Sequence, residues 1–299
     1  MAVAESGLAI AELMLMNPDQ QQRWRTDGSI YQIDYVDSKV RIQLVSETGK
    51  VDLNSADQTL LQGLMAYAPV EESLQTKLAN AIIDWRDTDD LVHLEGAEKE
   101  EYKDAGLSYR PRNKPFQSIE ELQLVLGMNE QLFTWLENLV TVYSGQPKVD
   151  LTQATKDVLQ VLPDMDAESI DGYIAARRES AINGLPAPAF IAGGGGNAGS
   201  LSGNQDTMSG QKSALESASE IPANNGADQK GAITVIAEAL LDDESMAMIK
   251  VVIKKSDNTG TSPFQVLKWQ HNAAGDESLF TNEKDQLLVR QYAEPEFNN

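Results

Sequence analysis

The sequence predicts an α+β fold: an N-terminal helix plus an antiparallel sheet, with a large all-α domain inserted between the strands. Three observations predict it. Residues 30–45 and 232–269 alternate apolar and polar side chains with the period of two that half-buried strands show. Residues 54–181, lying between them, switch to apolar spacings of three and four. Within that block a phrase occurs twice. Lys50-Val51-Asp52-Leu53-Asn54-Ser55-Ala56 leads into Leu60, Leu61 and Leu64, and Lys148-Val149-Asp150-Leu151-Thr152-Gln153-Ala154 leads into Val158, Leu159 and Leu162. Each copy is a short apolar-polar-apolar run that stops at a polar residue able to cap a following helix, so two related strand-cap-helix units are expected. The chain divides accordingly into 1–50, 51–182, 183–231 and 232–299.

The elements follow in order. Ala2 to Met16 is a helix whose Val3, Gly7, Ile10 and Met14 form one stripe, widened by Ala4, Leu8, Ala11 and Leu15. Asn17-Pro18-Asp19 ends it. No cap precedes this apolar opening, which predicts the back half of a longer helix whose upstream part enters a membrane. Ser29 to Val36 and Lys39 to Val45 form a hairpin around Asp37-Ser38. Five helical cores follow, marked by Leu60/Leu64, Leu74/Leu78/Ile82/Trp85, Ile119/Leu122/Leu126, Leu132/Leu136/Leu139 and Ile170/Ile174, with Pro and Gly between them. Residues 183–231 hold Gly193-Gly194-Gly195-Gly196 and few aliphatics, too little apolar surface to offset ordering entropy, and read as a flexible loop. Ala232 to Leu241, Ser245 to Lys254, Phe264 to Trp269 and Gln286 to Tyr292 are the closing strands.

Composition narrows the function. The 299 residues carry 24 Lys+Arg against 46 Asp+Glu, a net charge of -22. Such a surface repels nucleic acid and anionic headgroups. There is no Cys, which removes thiol catalysis and thiolate metal sites and suits a periplasm. Only His93 and His271 occur, far apart, and no Ser sits in a nucleophile elbow, so no enzyme is expected. The glycine run is no phosphate loop, because no Lys-Ser/Thr follows it. Arg177-Arg178 reads as the basic last turn of a helix. Trp85, Trp135 and Trp269 sit at core spacing, while Trp24 reads equally as an interface anchor or as a cover for the helix end.

One constellation has chemistry in it. Asp84, Asp87, Asp89, Asp90, Glu95 and Glu98 fall close together after the helix ending near Trp85. Anions are disfavoured at a helix C-terminus. A hard cation relieves both that and their mutual repulsion, and Ca²⁺, with its oxygen ligands, is the cofactor expected, in a structural role. The alternative is a solvated acidic loop.

The order of several blocks resembles the type II secretion system protein K family of minor pseudopilins. The blocks are Val51 to Ala56; Ala81-Ile82-Ile83-Asp84-Trp85-Arg86-Asp87-Thr88-Asp89-Asp90 with Gly96-Ala97-Glu98 and Tyr102; and Tyr109-Arg110-Pro111-Arg112-Asn113-Lys114-Pro115-Phe116 with Ser118 to Leu122 and Gly127-Met128. Val149 to Ala154 falls where that family repeats itself, and Glu5-Ser6-Gly7-Leu8-Ala9 resembles the segment after the membrane-buried half of a pilin helix. The resemblance implies a pilin-like fold and relatives that bind calcium. It implies a place at the tip of a pseudopilus, nucleating or capping its assembly for export of folded proteins. It implies partnership with minor pseudopilins I and J, with H as a further neighbour. It also implies an inner-membrane protein, single-pass through an upstream helix, with this part in the periplasm. The helix is too widely apolar for one sheet to cover, so Ala4, Gly7, Leu8, Ala11 and Leu15 are expected to meet a partner helix. The competing resemblance is to helix-hairpin-helix nucleic-acid-binding units, but the connections Met65 to Pro69 and Leu162 to Asp166 lack their glycines and carry no Lys or Arg.

Overall fold

A computed structural model describes residues 1–163, 165–190, 231–256, 262–272 and 277–293. The glycine run of the expected loop lies outside them. Helix α1 (Ala2–Leu15) packs on one face of a six-stranded sheet. The strands are β1 (Asp27–Asp34), β2 (Ser38–Ser46), β5 (Ala232–Leu241), β6 (Met246–Lys255), β7 (Phe264–His271) and β8 (Leu288–Ala293), in the order β7-β6-β5-β2-β1-β8. The hairpins β1–β2 and β5–β6 are those the alternation predicts, and β2 and β5 pair antiparallel across the intervening block. The sheet is not wholly antiparallel: β8 runs parallel to β1, because it returns to that edge by way of the short helix α8 (Asn282–Asp285).

Between β2 and β5 the chain forms α2 (Gln58–Met65), α3 (Glu72–Arg86), α4 (Lys99–Asp104), the 3-10 turn Ile119–Leu124, α5 (Glu130–Leu136), α6 (Lys156–Gln160) and α7 (Ala167–Ile182). The block is not purely helical, since β3 (Val51–Asp52) pairs in parallel with β4 (Val140–Thr141). Its apolar core, from Val51 to Tyr173, is separate from the core that α1 shares with the sheet.

The repeated phrase acts as a turn and cap, with two departures from expectation. Only the first copy contains a strand. In both copies the cap falls three residues later than the phrase predicts. Asp57 accepts from the Leu60 N–H and Thr155 from the Val158 N–H, because Asp52 and Asp150 first fold the chain back onto their own side chains. Asp52 is buried and also accepts from the Ser144 and Gly145 N–H groups, tying the first copy of the phrase to the turn after β4. Asn54 exchanges a pair of hydrogen bonds with the Phe116 backbone at 2.7 and 3.0 Å.

Candidate functional site

Two features of this fold could serve a function, one on α1 and one after α3. On α1 the five residues expected at a partner helix, Ala4, Gly7, Leu8, Ala11 and Leu15, are all buried against the protein's own sheet. A Cβ on Gly7 would stand 2.9 Å from Ala237 Cβ and 3.1 Å from Val40 Cγ1, so the backbone of α1 lies almost on β5 and β2. These residues cannot meet a second helix while α1 is seated. The small side chains serve close approach to the sheet, and the open side of α1 carries Ala2, Glu5, Ala9, Leu13 and Met16 instead. Leu13 is 61% exposed and Met16 51%. Periodicity could not separate the two stripes, since both are apolar.

Trp24 covers the sheet rather than standing at an interface. It is buried, stacked on Tyr31 with ring centroids 4.2 Å apart, and donates its indole N–H to the Tyr292 hydroxyl at 3.0 Å. Trp85 is buried in the helical core beside Tyr102 and Phe116. Trp135 is only partly covered, and Trp269 is exposed because β7 is an edge strand.

The second feature is the loop after α3. Asp84, on the last turn, is fully buried, and residues 87–97 wrap around it. Its carboxylate accepts from the His93 N–H at 3.2 Å and the Ala97 N–H at 2.7 Å, and it meets the His93 ring Nδ1. Gly96 permits this wrap, since a Cβ there would fall 2.0 Å from Asp84 Oδ2. The Asp87 carboxylate lies 3.8 Å from the same ring nitrogen. One ligand atom each of Asp84, Asp87 and His93 therefore lies within 4.8 Å of the others.

Glu98 lies outside that close group but feels its charge. It is buried, and neither of its carboxylate oxygens has a hydrogen-bond partner; Asp87 Oδ1 is likewise unpartnered. Burial, then the charges of Asp84, Asp87, Asp90 and Asp89, push the Glu98 carboxyl up to about 7. Burial, with Asp89 and Asp84 behind it, also raises Asp87.

The other predicted ligands lie further out. Asp89 accepts from the Leu91 N–H and Asp90 from the Asn113 side chain, both at the surface. Glu95 turns away, with φ 60°, to pair with Lys77 at 3.8 Å. His93 was not expected here, for no sequence spacing places a ring nine residues on from a carboxylate it touches.

This loop and its scaffold fall within one match to known families. Residues 42–145 match the family described as Type II secretion system (T2SS), protein K. This segment, here termed the protein K domain, is similar to that family. The matched span runs from β2 past β4, so it holds the first copy of the repeated phrase and all six acidic positions. No curated protein matches the chain. Among solved structures, the chain is similar to one chain of the crystal structure of the GspK-GspI-GspJ complex from the enterotoxigenic Escherichia coli type 2 secretion system. The identity is 16%, the TM-score 0.51, and the match covers 91% of this chain and 94% of that one. At that identity the likeness concerns fold. Its 91% coverage reaches well beyond residues 42–145.

The rest of the fold ties the protein K domain to the sheet. Buried Glu47 accepts from the Lys50 ammonium at 2.7 Å and the Thr234 hydroxyl at 2.6 Å, and from the Thr141 hydroxyl. Lys268 of β7 pairs with Glu120, and Lys250 of β6 donates to Asn138. Arg177 is not the surface end of a helix. It is buried, donating to the Ala154 and Asp27 carbonyls at 2.7 and 2.8 Å, and its neighbour Arg178 donates to the Leu288 carbonyl. Residues 185–190, expected to be flexible, pack here: Phe190 meets the Tyr173 ring edge-on at 4.8 Å, and the Leu185 carbonyl accepts from Arg25.

Proposed function

We propose that this chain is a minor pseudopilin at the tip of a type II secretion pseudopilus. There it nucleates or caps assembly for export of folded proteins, and it has no catalytic role. It works beside minor pseudopilins I and J as an inner-membrane protein, with the part described here in the periplasm. The observation that carries this reading is α1 itself. One stripe is sealed on the sheet, while Ala2, Ala9, Leu13 and Met16 leave a second, largely apolar stripe facing outward. Small residues on that stripe let another helix approach closely, with Leu13 and Met16 filling the groove. The neighbour with the same fold belongs to a GspK-GspI-GspJ complex, which supports the choice of partners. Ala9→Glu with Leu13→Glu is expected to abolish co-elution with pseudopilins I and J while leaving the melting temperature unchanged. Continued co-elution of the double variant removes α1 as the seam.

The same reading includes a structural Ca²⁺ held by Asp84, Asp87 and Glu98, with Asp89 and Asp90 at its rim. The fit rests on Glu98: its buried carboxyl, pushed up by burial and four aspartates, is relieved either by a proton or by a bound cation. Ca²⁺ takes carboxylate and carbonyl oxygens in flexible geometry, which a loop of this kind supplies. His93, when protonated, occupies the same electrostatic role toward Asp84 and Asp87. Saturating Ca²⁺ is expected to raise the melting temperature by about 5 °C over chelated protein, through binding to the folded form alone. Equal melts leave the solvated loop as the correct description.

A further inference from the structure

The loop that encloses Asp84 carries a feature that neither a cation site nor a pseudopilus seam uses. Leu91 is 75% exposed, Val92 50% and Leu94 82%. They fall within four consecutive positions, so their side chains emerge within about 10 Å of one another. Scattered exposed aliphatics are ordinary on a protein surface, but a contiguous set held outward is not.

This set is held outward. The Leu91 N–H is fixed on Asp89 at 2.9 Å, the His93 N–H on Asp84, and the Leu94 carbonyl on the buried Asn80 side chain at 2.7 Å. Gly96 donates to the His93 carbonyl at 2.8 Å, and Asn113 to the Asp89 carbonyl at 2.5 Å. Glu95 sits in the left-handed backbone region to close the turn, which is uncommon for a residue with a Cβ. The backbone is pinned along its length while the three aliphatic side chains stay in water. A loop with this much local bonding gains nothing in its own stability from those side chains, and it loses little entropy when something covers them.

We propose that Leu91, Val92 and Leu94 form a docking tip for another protein, one that offers an apolar pocket edged by Lys or Arg. The charge around the tip selects that occupant. Exposed Asp89 and Asp90 border it on one side and Glu95, shared with Lys77, on the other. An anionic lipid surface is repelled by that border. A second copy of this chain, with net charge -22, would set acid against acid. A rigid tip of one shape fits a constant component of the secretion apparatus rather than varied cargo, which calls for surfaces that can repack.

The proposal rests on the secretion reading for its cellular readout. The test uses the full-length chain in cells lacking the native gene. Leu91→Ser with Leu94→Ser is expected to lower export about tenfold, the loss of roughly 1.4 kcal/mol of contact, with the tip complex still formed. The melting temperature of the purified variant stays at the wild-type value, because the lost side chains stand in water. A benzoylphenylalanine crosslinker at position 94 traps one resident protein of the apparatus, and added salt lowers the yield, as a charged border requires. Export at the wild-type level by the Ser variant overturns the proposal, as does an adduct with lipid, with cargo or with a second copy of the chain, or no adduct at all. Should the wild-type chain itself fail to restore export, the secretion reading falls, and the adduct still decides the docking tip.

Discussion

At the scale of single residues, Glu98 is the most consequential. Its carboxyl is pushed up to about 7 from an ordinary 4.5, first by burial and then by four aspartates. The sign follows from linkage: the folded form keeps a proton that the unfolded chain has already released between pH 4.5 and 7. Stability of the cation-free protein therefore falls as pH rises through that window, and the cost is complete above it. Thermal melts in chelator across the window should show this decline. Glu98→Gln should flatten it, raise the melting temperature of the chelated protein, and remove any response to Ca²⁺. The six acidic residues were legible as a cluster because they are close in sequence. Their separation into buried Asp84 and Glu98, half-buried Asp87, a rim (Asp89, Asp90) and an outlier (Glu95) depends on the path of the loop around Asp84, which no spacing encodes.

At the scale of an element, α1 shows how one sequence pattern can serve two surfaces. Its apolar residues are distributed so widely that periodicity predicts a helix with two partners without saying which stripe takes which. Gly7 decides it. Only a residue without a Cβ lets the helix lie on Ala237, Val40 and Ile42. Gly7→Ala should gain about 1 kcal/mol in helix propensity but lose more by overpacking, typically about 1–3 kcal/mol. The net expectation is destabilisation by about 1 kcal/mol, read as a lower denaturant midpoint with unchanged slope. An increase in the midpoint would mean that α1 lifts from the sheet at little cost. The repeated phrase is the converse case. Its chemistry predicts a turn and a capped helix in both copies, and both form, but Asp52 and Asp150 each hold the chain for three residues before the cap engages.

At the scale of the whole molecule, the protein K domain and the sheet keep separate apolar cores and are joined by buried polar groups. Arg177 is central to that junction. Its guanidinium satisfies the Ala154 and Asp27 carbonyls, lies 3.5 Å from the buried Asp27 carboxylate, and stands over the Tyr173 ring. Arg177→Ala leaves Asp27 with a more distant cation, Arg25 at 3.7 Å, and strands two buried acceptors. The expected loss is about 3 kcal/mol, since breaking one side of a buried charged contact exposes the full desolvation cost of the other. Hydrogen exchange should speed up in β1 and α7 together while the α2–α3 pair stays protected. Uniform acceleration would mean that the two cores unfold as one.

The sequence by itself determined the elements and their order: a leading helix, two hairpins of opposite chain ends forming one sheet, and a helical block between them. Those are local properties, set by periods of two and of three to four, by caps and by turn residues, each of which acts over a few positions. Only the tertiary structure decided which stripe of α1 is open, that β8 joins β1 in parallel, that Trp269 lies at an edge, and that Arg177 and His93 are drawn inward to carboxylates. Those depend on which distant surfaces meet, and an apolar or charged residue carries the same local signal whether its partner is the protein's own sheet, another subunit or water.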